Sequence, residues 1–275
     1  MTTADGTRLT KQQRREAARE EARRLREAQE RREKRNRMLL IAGLVVAVVV
    51  VVALVWAIVS SGNRSALDGV ARPAGSDLRG GIPVGASLEA GTTNEDVDGA
   101  REVRVYLDYT CSFCSQFEQV NAADLRTLAQ EGAATIWFHP VSILDRSGDY
   151  SGYSGQAANA AATVADRAPA QFLAFSERLF ALYDAAVQSA VDSGASAVTE
   201  PTLAEIQAAA SELGVPQEVV DSFADRDFSD WVAATTRQFG RDGFEGTPTI
   251  LVDGEEFTGW PEAGALLDEV QGAAG

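Results

Sequence analysis

The sequence predicts an α/β domain with an inserted helical block, preceded by a single transmembrane helix. Three observations carry this reading. Residues 38–59 form an uncharged apolar run, residues 101–130 read as a strand passing straight into a helix, and an alanine-rich helical stretch separates two groups of β-forming residues. At 275 residues the chain suits one large domain or two small ones. Its 45% hydrophobic and 24% charged residues are those of a folded protein rather than a disordered one.

Charge excludes one class of function. The 25 Lys and Arg against 40 Asp and Glu give a formal charge of −15, unevenly spread. Residues 1–37 hold 13 basic and 7 acidic side chains, a net of +6, which leaves −21 on the rest. A body that acidic is repelled by phosphate backbones, so nucleic acid is not expected among the partners. The two cysteines and one histidine cannot build a multi-bridge scaffold or supply four zinc ligands, so no metal site is expected.

Residues 1–37 are a basic, charged arm of strong helix formers, with Glu and Arg often three or four apart on a solvated surface. Residues 38–59 follow: 22 residues without a charge, which as a helix extend about 33 Å, enough to cross a bilayer. Arg32, Lys34, Arg35 and Arg37 precede the run and only Arg64 follows closely, so the N-terminus is expected in the cytoplasm and the body outside. The run is longer than a signal-peptide core and lacks a good cleavage site, which favours an uncleaved anchor in contact with lipid. Residues 60–80, rich in Gly, Ser, Asp and Pro, are expected to be a flexible extracytoplasmic linker, with the folded domain at 81–275.

Within that domain 101–109 reads as a buried strand, 111–130 as a helix and 134–144 as a second strand. From about 154 to 240 helical periodicity is broken at Ala168-Pro169, Glu200-Pro201 and Val215-Pro216, predicting four or five helices, with Phe172, Phe175, Phe180 and Tyr183 as core. Residues 248–252 and 255–258 flank Asp253-Gly254, a strong hairpin signal, and 261–270 reads as a closing helix.

Cys111-Ser112-Phe113-Cys114 is the sharpest feature. Two cysteines at i and i+3 opening a helix can close a small disulfide ring beside unpaired backbone N–H groups, which lower the pKa of the first thiol. Cys111 is then the expected nucleophile and Cys114 the resolving thiol. The competing readings are an inert bridge, which over so short a loop constrains the unfolded chain little, and half of an intermolecular metal site. His139, ahead of Pro140, reads as a satisfied core histidine or as a proton carrier near the thiols.

Together these features resemble the thioredoxin superfamily, and within it the DsbA-like branch whose core is interrupted by helices. The resemblance covers roughly residues 80–272 and rests on 108–114 (DYTCSFC) after a strand, the helical block, and Gly246-Thr247-Pro248-Thr249 opening the hairpin. It implies a thioredoxin-like fold, a cis Pro248 beside the cysteines, and Thr247 offering its backbone to an extended substrate. With Thr247 and Pro248, Phe113 is a candidate substrate contact. The chain departs from the branch in two places. Ser112 and Phe113 stand where proline and histidine are frequent, so no imidazolium stabilises the Cys111 thiolate. Apolar Val105 stands where many thioredoxin-like proteins bury an acid. Asp108 and Ser112 are therefore candidate tuning residues, Asp108 either replacing that acid or simply capping a turn.

The resemblance implies a thiol:disulfide oxidoreductase needing no cofactor beyond a redox-active Cys111–Cys114 disulfide. Its expected partners are exported proteins with free thiols and a quinone-linked membrane oxidase for recycling. Two alternatives stay open: a reductase of extracytoplasmic disulfides, for instance in cytochrome maturation, and a non-catalytic peptide-binding module.

Overall fold

A computed structural model of the chain describes residues 11–62 and 65–272. The first ten residues of the basic arm and residues 63–64 of the expected linker lie outside the described residues. The chain divides into two units, with the break between Arg64 and Ser65.

In the first unit the expected arm and apolar run form one helix, α1 (Lys11–Gly62). Its segment Lys34–Trp56, 23 residues with a mean hydropathy of 3.3, is long and apolar enough to cross a membrane. Met38, Leu44 and Trp56 present their side chains outward, without protein cover.

The second unit is a five-stranded mixed sheet with helices packed on it. The strands are β1 (Ile82–Val84), β2 (Arg101–Leu107), β3 (Ala134–Pro140), β4 (Thr249–Val252) and β5 (Glu255–Glu256), in the order β1-β3-β2-β4-β5. Only β2 and β3 run parallel, as their connection through helix α2 (Ser112–Gln130) requires; β1, β4 and β5 pair antiparallel. The β4–β5 turn forms where Asp253-Gly254 predicts it, both residues having positive φ (50° and 88°), the combination a two-residue hairpin turn of this hand needs.

The helical block runs from α3 (Tyr153–Arg167) through α4 (Phe172–Ser193), α5 (Leu203–Glu212) and α6 (Gln217–Asp221) to α7 (Ser229–Arg241), five α-helices with two short 3-10 turns. Helix α3 is buried on nearly every face, because Ala157, Ala158, Ala160, Ala161, Ala162 and Ala165 let α4, α5 and α7 close on it. Phe172, Phe175 and Phe180 lie in the core and Tyr183 is half-buried. The closing helix α8 (Ala265–Gly272) packs on α2.

Three expectations need correction. The closing helix starts at Ala265 rather than 261, because 261–264 form a turn that ends on Gly264 at a φ of 83°. The second strand stops at Pro140 rather than Leu144, since beyond it the chain turns and Leu144 N–H donates to Asp108 Oδ2 (3.0 Å). Residues 65–80 are not a free linker. Leu67 is wholly buried, Ala66 N–H donates to Gln238 Oε1 (2.8 Å) and Ala74 N–H to Asp166 Oδ1 (2.9 Å). Asp77 reaches Arg104 Nη1 at 2.6 Å, while Arg104, almost fully buried, also binds Glu102 and lies over the Trp137 ring. Gly81 passes so close to His139 that a Cβ there would meet Nε2 at 2.7 Å. The turn composition of this stretch reflects an irregular backbone pinned by distant side chains.

Candidate active site

The site forms where β2 runs into α2. Asp108, fully buried, ends the strand and accepts from the Thr110 N–H (2.9 Å), the Thr110 hydroxyl (2.8 Å) and the Leu144 N–H. It is therefore neither solvent-facing nor a simple cap: it ties the turn to the loop leading into α3. Burial raises its pKa against those hydrogen bonds. The Cys111 N–H donates to the Asp108 carbonyl (3.0 Å), which sets Cys111 at the N-cap of α2 in extended conformation. No side chain caps this helix, so its first-turn N–H groups remain available to the sulfur.

The two sulfurs sit in unlike surroundings. Both cysteines are free thiols, Cys111 being 8% exposed and Cys114 1%. The Cys114 thiol, hydrogen-bonded to Cys111, brings the Cys111 pKa down to about 6; burial opposes this, and the Phe113 and Cys114 N–H groups assist. Burial pushes the Cys114 thiol far the other way, and the neighbouring Cys111 adds to it.

The third wall comes from the far end of the chain. Thr249 of β4 pairs with Tyr106 of β2, which brings Gly246-Thr247-Pro248 against the start of α2. The Thr247–Pro248 peptide is cis, and the Thr247 carbonyl accepts from Cys111 Sγ at 3.2 Å. The Thr247 hydroxyl is buried, faces both sulfurs and has no other partner. Ser112 and Phe113 point outward, Phe113 with 62% of its surface exposed, an unusual position for a large apolar ring. A groove of about 500 Å³ opens beside Thr110, lined also by Ile143, Leu144, Arg146 and Tyr183.

His139 is not a proton carrier here. It is fully buried, stacks on Tyr106, donates from Nδ1 to the Arg79 carbonyl (3.2 Å) and accepts at Nε2 from Arg104 (3.1 Å). Burial lowers its pKa to about 3, so it stays neutral. Among the described residues no group of three or more His, Cys, Asp and Glu is placed to hold a metal ion.

One titratable residue near the pair is not apparent from the sequence. Glu118 lies on α2 one turn beyond Cys114, and its Oε2 is buried without a hydrogen-bond partner. Burial, and then the nearby Glu177, raise its pKa to about 7. The i+4 spacing from Cys114 was the available signal, but its burial depends on α4, which lies some fifty residues further on.

The family model described as Thioredoxin matches residues 96–269, well over half of the chain. The chain belongs to the thioredoxin family. Several solved structures resemble this thioredoxin-family chain. MdbA, a thiol-disulfide oxidoreductase from Actinomyces oris, is 26% identical over 76% of this chain and 99% of that one, with a TM-score of 0.58. Oxidised DsbA of Mycobacterium tuberculosis is 26% identical over 71% and 93%, with a TM-score of 0.57. The reduced DsbG of the same organism is 25% identical over 71% and 88%, with a TM-score of 0.55. BdbD from Bacillus subtilis, at 17% identity, shares the fold. No curated protein sequence matches the chain. These neighbours are DsbA-like, a type that uses a redox-active cysteine pair and no external cofactor.

Proposed function

We propose that this chain is a membrane-tethered, extracytoplasmic thiol:disulfide oxidoreductase that exchanges disulfides with exported proteins through Cys111 and Cys114, in the oxidising direction. The observation that carries the reading is the asymmetry of the two sulfurs, an N-cap Cys111 thiol lowered to about 6 beside a buried Cys114 held protonated. A pair poised in this way separates an attackable, easily displaced sulfur from one that stays out of reach.

In the oxidised enzyme a substrate thiolate attacks Cys111 Sγ, the Cys111–Cys114 bond breaks, and Cys114 leaves and takes up a proton. A second substrate thiolate then attacks the substrate sulfur of the mixed disulfide and expels Cys111. Its low pKa makes Cys111 a good leaving group. Thr247 and Pro248 line the approach to Cys111, and the exposed Phe113 ring gives an extended substrate an apolar contact. Asp108 holds the turn that carries Cys111, and Ser112 is the small exposed residue between. The Lys34–Trp56 segment anchors the chain in the cytoplasmic membrane, with its basic flank inside. Two electrons per cycle must leave the reduced pair, and a quinone-linked membrane oxidase is the class of partner that takes them.

A specific observation favours a second reading. A Cys111 pKa of about 6 lies nearer to the value of about 7 in thioredoxin than to about 3.5 in strongly oxidising DsbA, as expected where Phe113 replaces a histidine. That milder depression suits a reductase of extracytoplasmic disulfides recharged by a membrane electron carrier. In either direction, Cys114→Ser in the full chain should accumulate mixed disulfides between Cys111 and exported proteins, and Cys111→Ser should abolish both the adducts and turnover of a dithiol peptide. Undiminished turnover in C111S would remove the enzyme readings and leave a peptide-holding module.

A further inference from the structure

Thr110 belongs to two features at once. It precedes Cys111 on the turn that Asp108 holds, and it lines the groove of about 500 Å³ beside that turn. The walls of the groove come from distant parts of the chain, Ile143 to Arg146 on one side and the connection between α4 and α5 on the other, with Tyr183 of α4 adding its ring. Leu144, in the groove, leaves 46% of its surface exposed, which offers a substrate a second apolar contact besides Phe113.

The loop that carries Leu144 and Arg146 is pinned along its length. The Ser142 N–H donates to the Thr236 hydroxyl (2.9 Å), the Ser142 and Ser154 hydroxyls share a hydrogen bond (2.7 Å), and the Leu144 N–H donates to Asp108. Further on, Arg226 donates to the carbonyls of Asp149 (3.0 Å) and Tyr150 (2.9 Å). A wall fixed in this way holds its side chains ready for a ligand without an ordering cost at binding.

Three ionic side chains line the groove, and two of them are engaged. Asp145 accepts from the Gly155 N–H (3.3 Å) and the Ser147 N–H (2.7 Å), and Glu200 accepts from the Tyr153 N–H (2.9 Å). Tyr153 and Gly155 stand in the first turn of α3, whose N–H groups and positive dipole end offset both carboxylates. Arg146 is exposed, its charge acts on the Tyr183 hydroxyl that shares the groove, and among the described residues no acid is paired with it. Its planar fork of donors fits a carboxylate bidentately.

We propose that Arg146 determines substrate specificity by binding an Asp or Glu carboxylate that lies within about two residues of the reacting cysteine in an extended exported segment. This rests on the exchange reading above. An extended segment advances about 3.3 Å per residue, so one that pairs with Thr247 and reaches the Cys111 sulfur carries its next residues past Thr110 and over the groove. The preference is the opposite of what the whole body would impose, since a net charge of −21 beyond residue 37 by itself favours basic segments.

The test uses full-length wild type, Arg146→Gln and Arg146→Glu in detergent, each oxidised, reacting with reduced peptides that differ only in carrying Asp or Lys two residues before or two residues after the cysteine. At one of these positions the Asp-to-Lys rate ratio should fall about fivefold from wild type to R146Q, and further in R146E. Comparing ratios between proteins cancels the acidity of each peptide's thiol, and a merely structural role, which slows both peptides alike, leaves the ratio unmoved. A ratio that stays level or rises at both positions overturns the proposal and leaves the exchange reading intact. A wild type that exchanges with none of the peptides overturns both. If neither variant folds, wild type decides, with each peptide's rate divided by its rate with the neutral hydroxyethyl disulfide. An Asp-to-Lys ratio above one supports the role of Arg146, and a ratio of one or less, as the acidic body alone would produce, contradicts it.

Discussion

Cys111 and Cys114 share one helical turn, yet the fold drives their acidities apart. Cys111 keeps the helix N-terminus and a thiol donor, while Cys114 is enclosed. Alkylation of Cys111 in the reduced chain should therefore show a midpoint near pH 6. Cys114→Ala removes the donor that contributes most and should move that midpoint upward; an unchanged midpoint would assign the effect to the helix alone. The sign for stability follows. A thiol depressed below its ordinary value stabilises the reduced fold fully above the unfolded pKa, and that contribution is lost as pH falls through about 6. The cysteine pair was legible because spacing and the preceding strand mark it locally. Asp108 was half-legible: its position before the turn was clear, but its burial arises from the 142–152 loop folding over it. Glu118 was illegible because a single acid on a mixed helix face looks solvated until α4 covers it.

At the scale of elements, β2 to β4, the helices and the Asp253-Gly254 hairpin could be read from local periodicity and turn chemistry, and the helical block falls within one residue of its expected limits, whereas the three-residue β1, ordered by its pairing with the distant β3, was not expected as a strand. The 65–80 segment could not. Its partners, Gln238, Asp166 and Arg104, lie far away in sequence, and its Gly, Pro and Asp residues give the same local signal whether a chain is tethered or pinned. Asp108 is the joint between the β2–α2 turn and the loop that enters the helical block. Asp108→Ala leaves the Thr110 and Leu144 N–H groups without their acceptor and should cost about 2 kcal/mol in urea unfolding, with slower Cys111 alkylation as the turn loosens. A loss below about 0.5 kcal/mol, the range of ordinary surface substitutions, would mean that the turn is held elsewhere.

For the whole molecule, the sequence separates a basic arm and apolar span from an acidic body, and the structure divides the chain at Ser65. The thioredoxin family and the DsbA-like neighbours agree with a cysteine pair as the chemical centre. The central claim is the direction of exchange, and the reduction potential of the Cys111–Cys114 pair tests it most directly. Full-length protein in detergent is equilibrated against glutathione and the dithiol fraction measured. The account predicts a potential between about −120 and −180 mV, the range of disulfide donors; a value near about −270 mV, that of thioredoxin, would contradict the oxidising direction and make the chain a reductase.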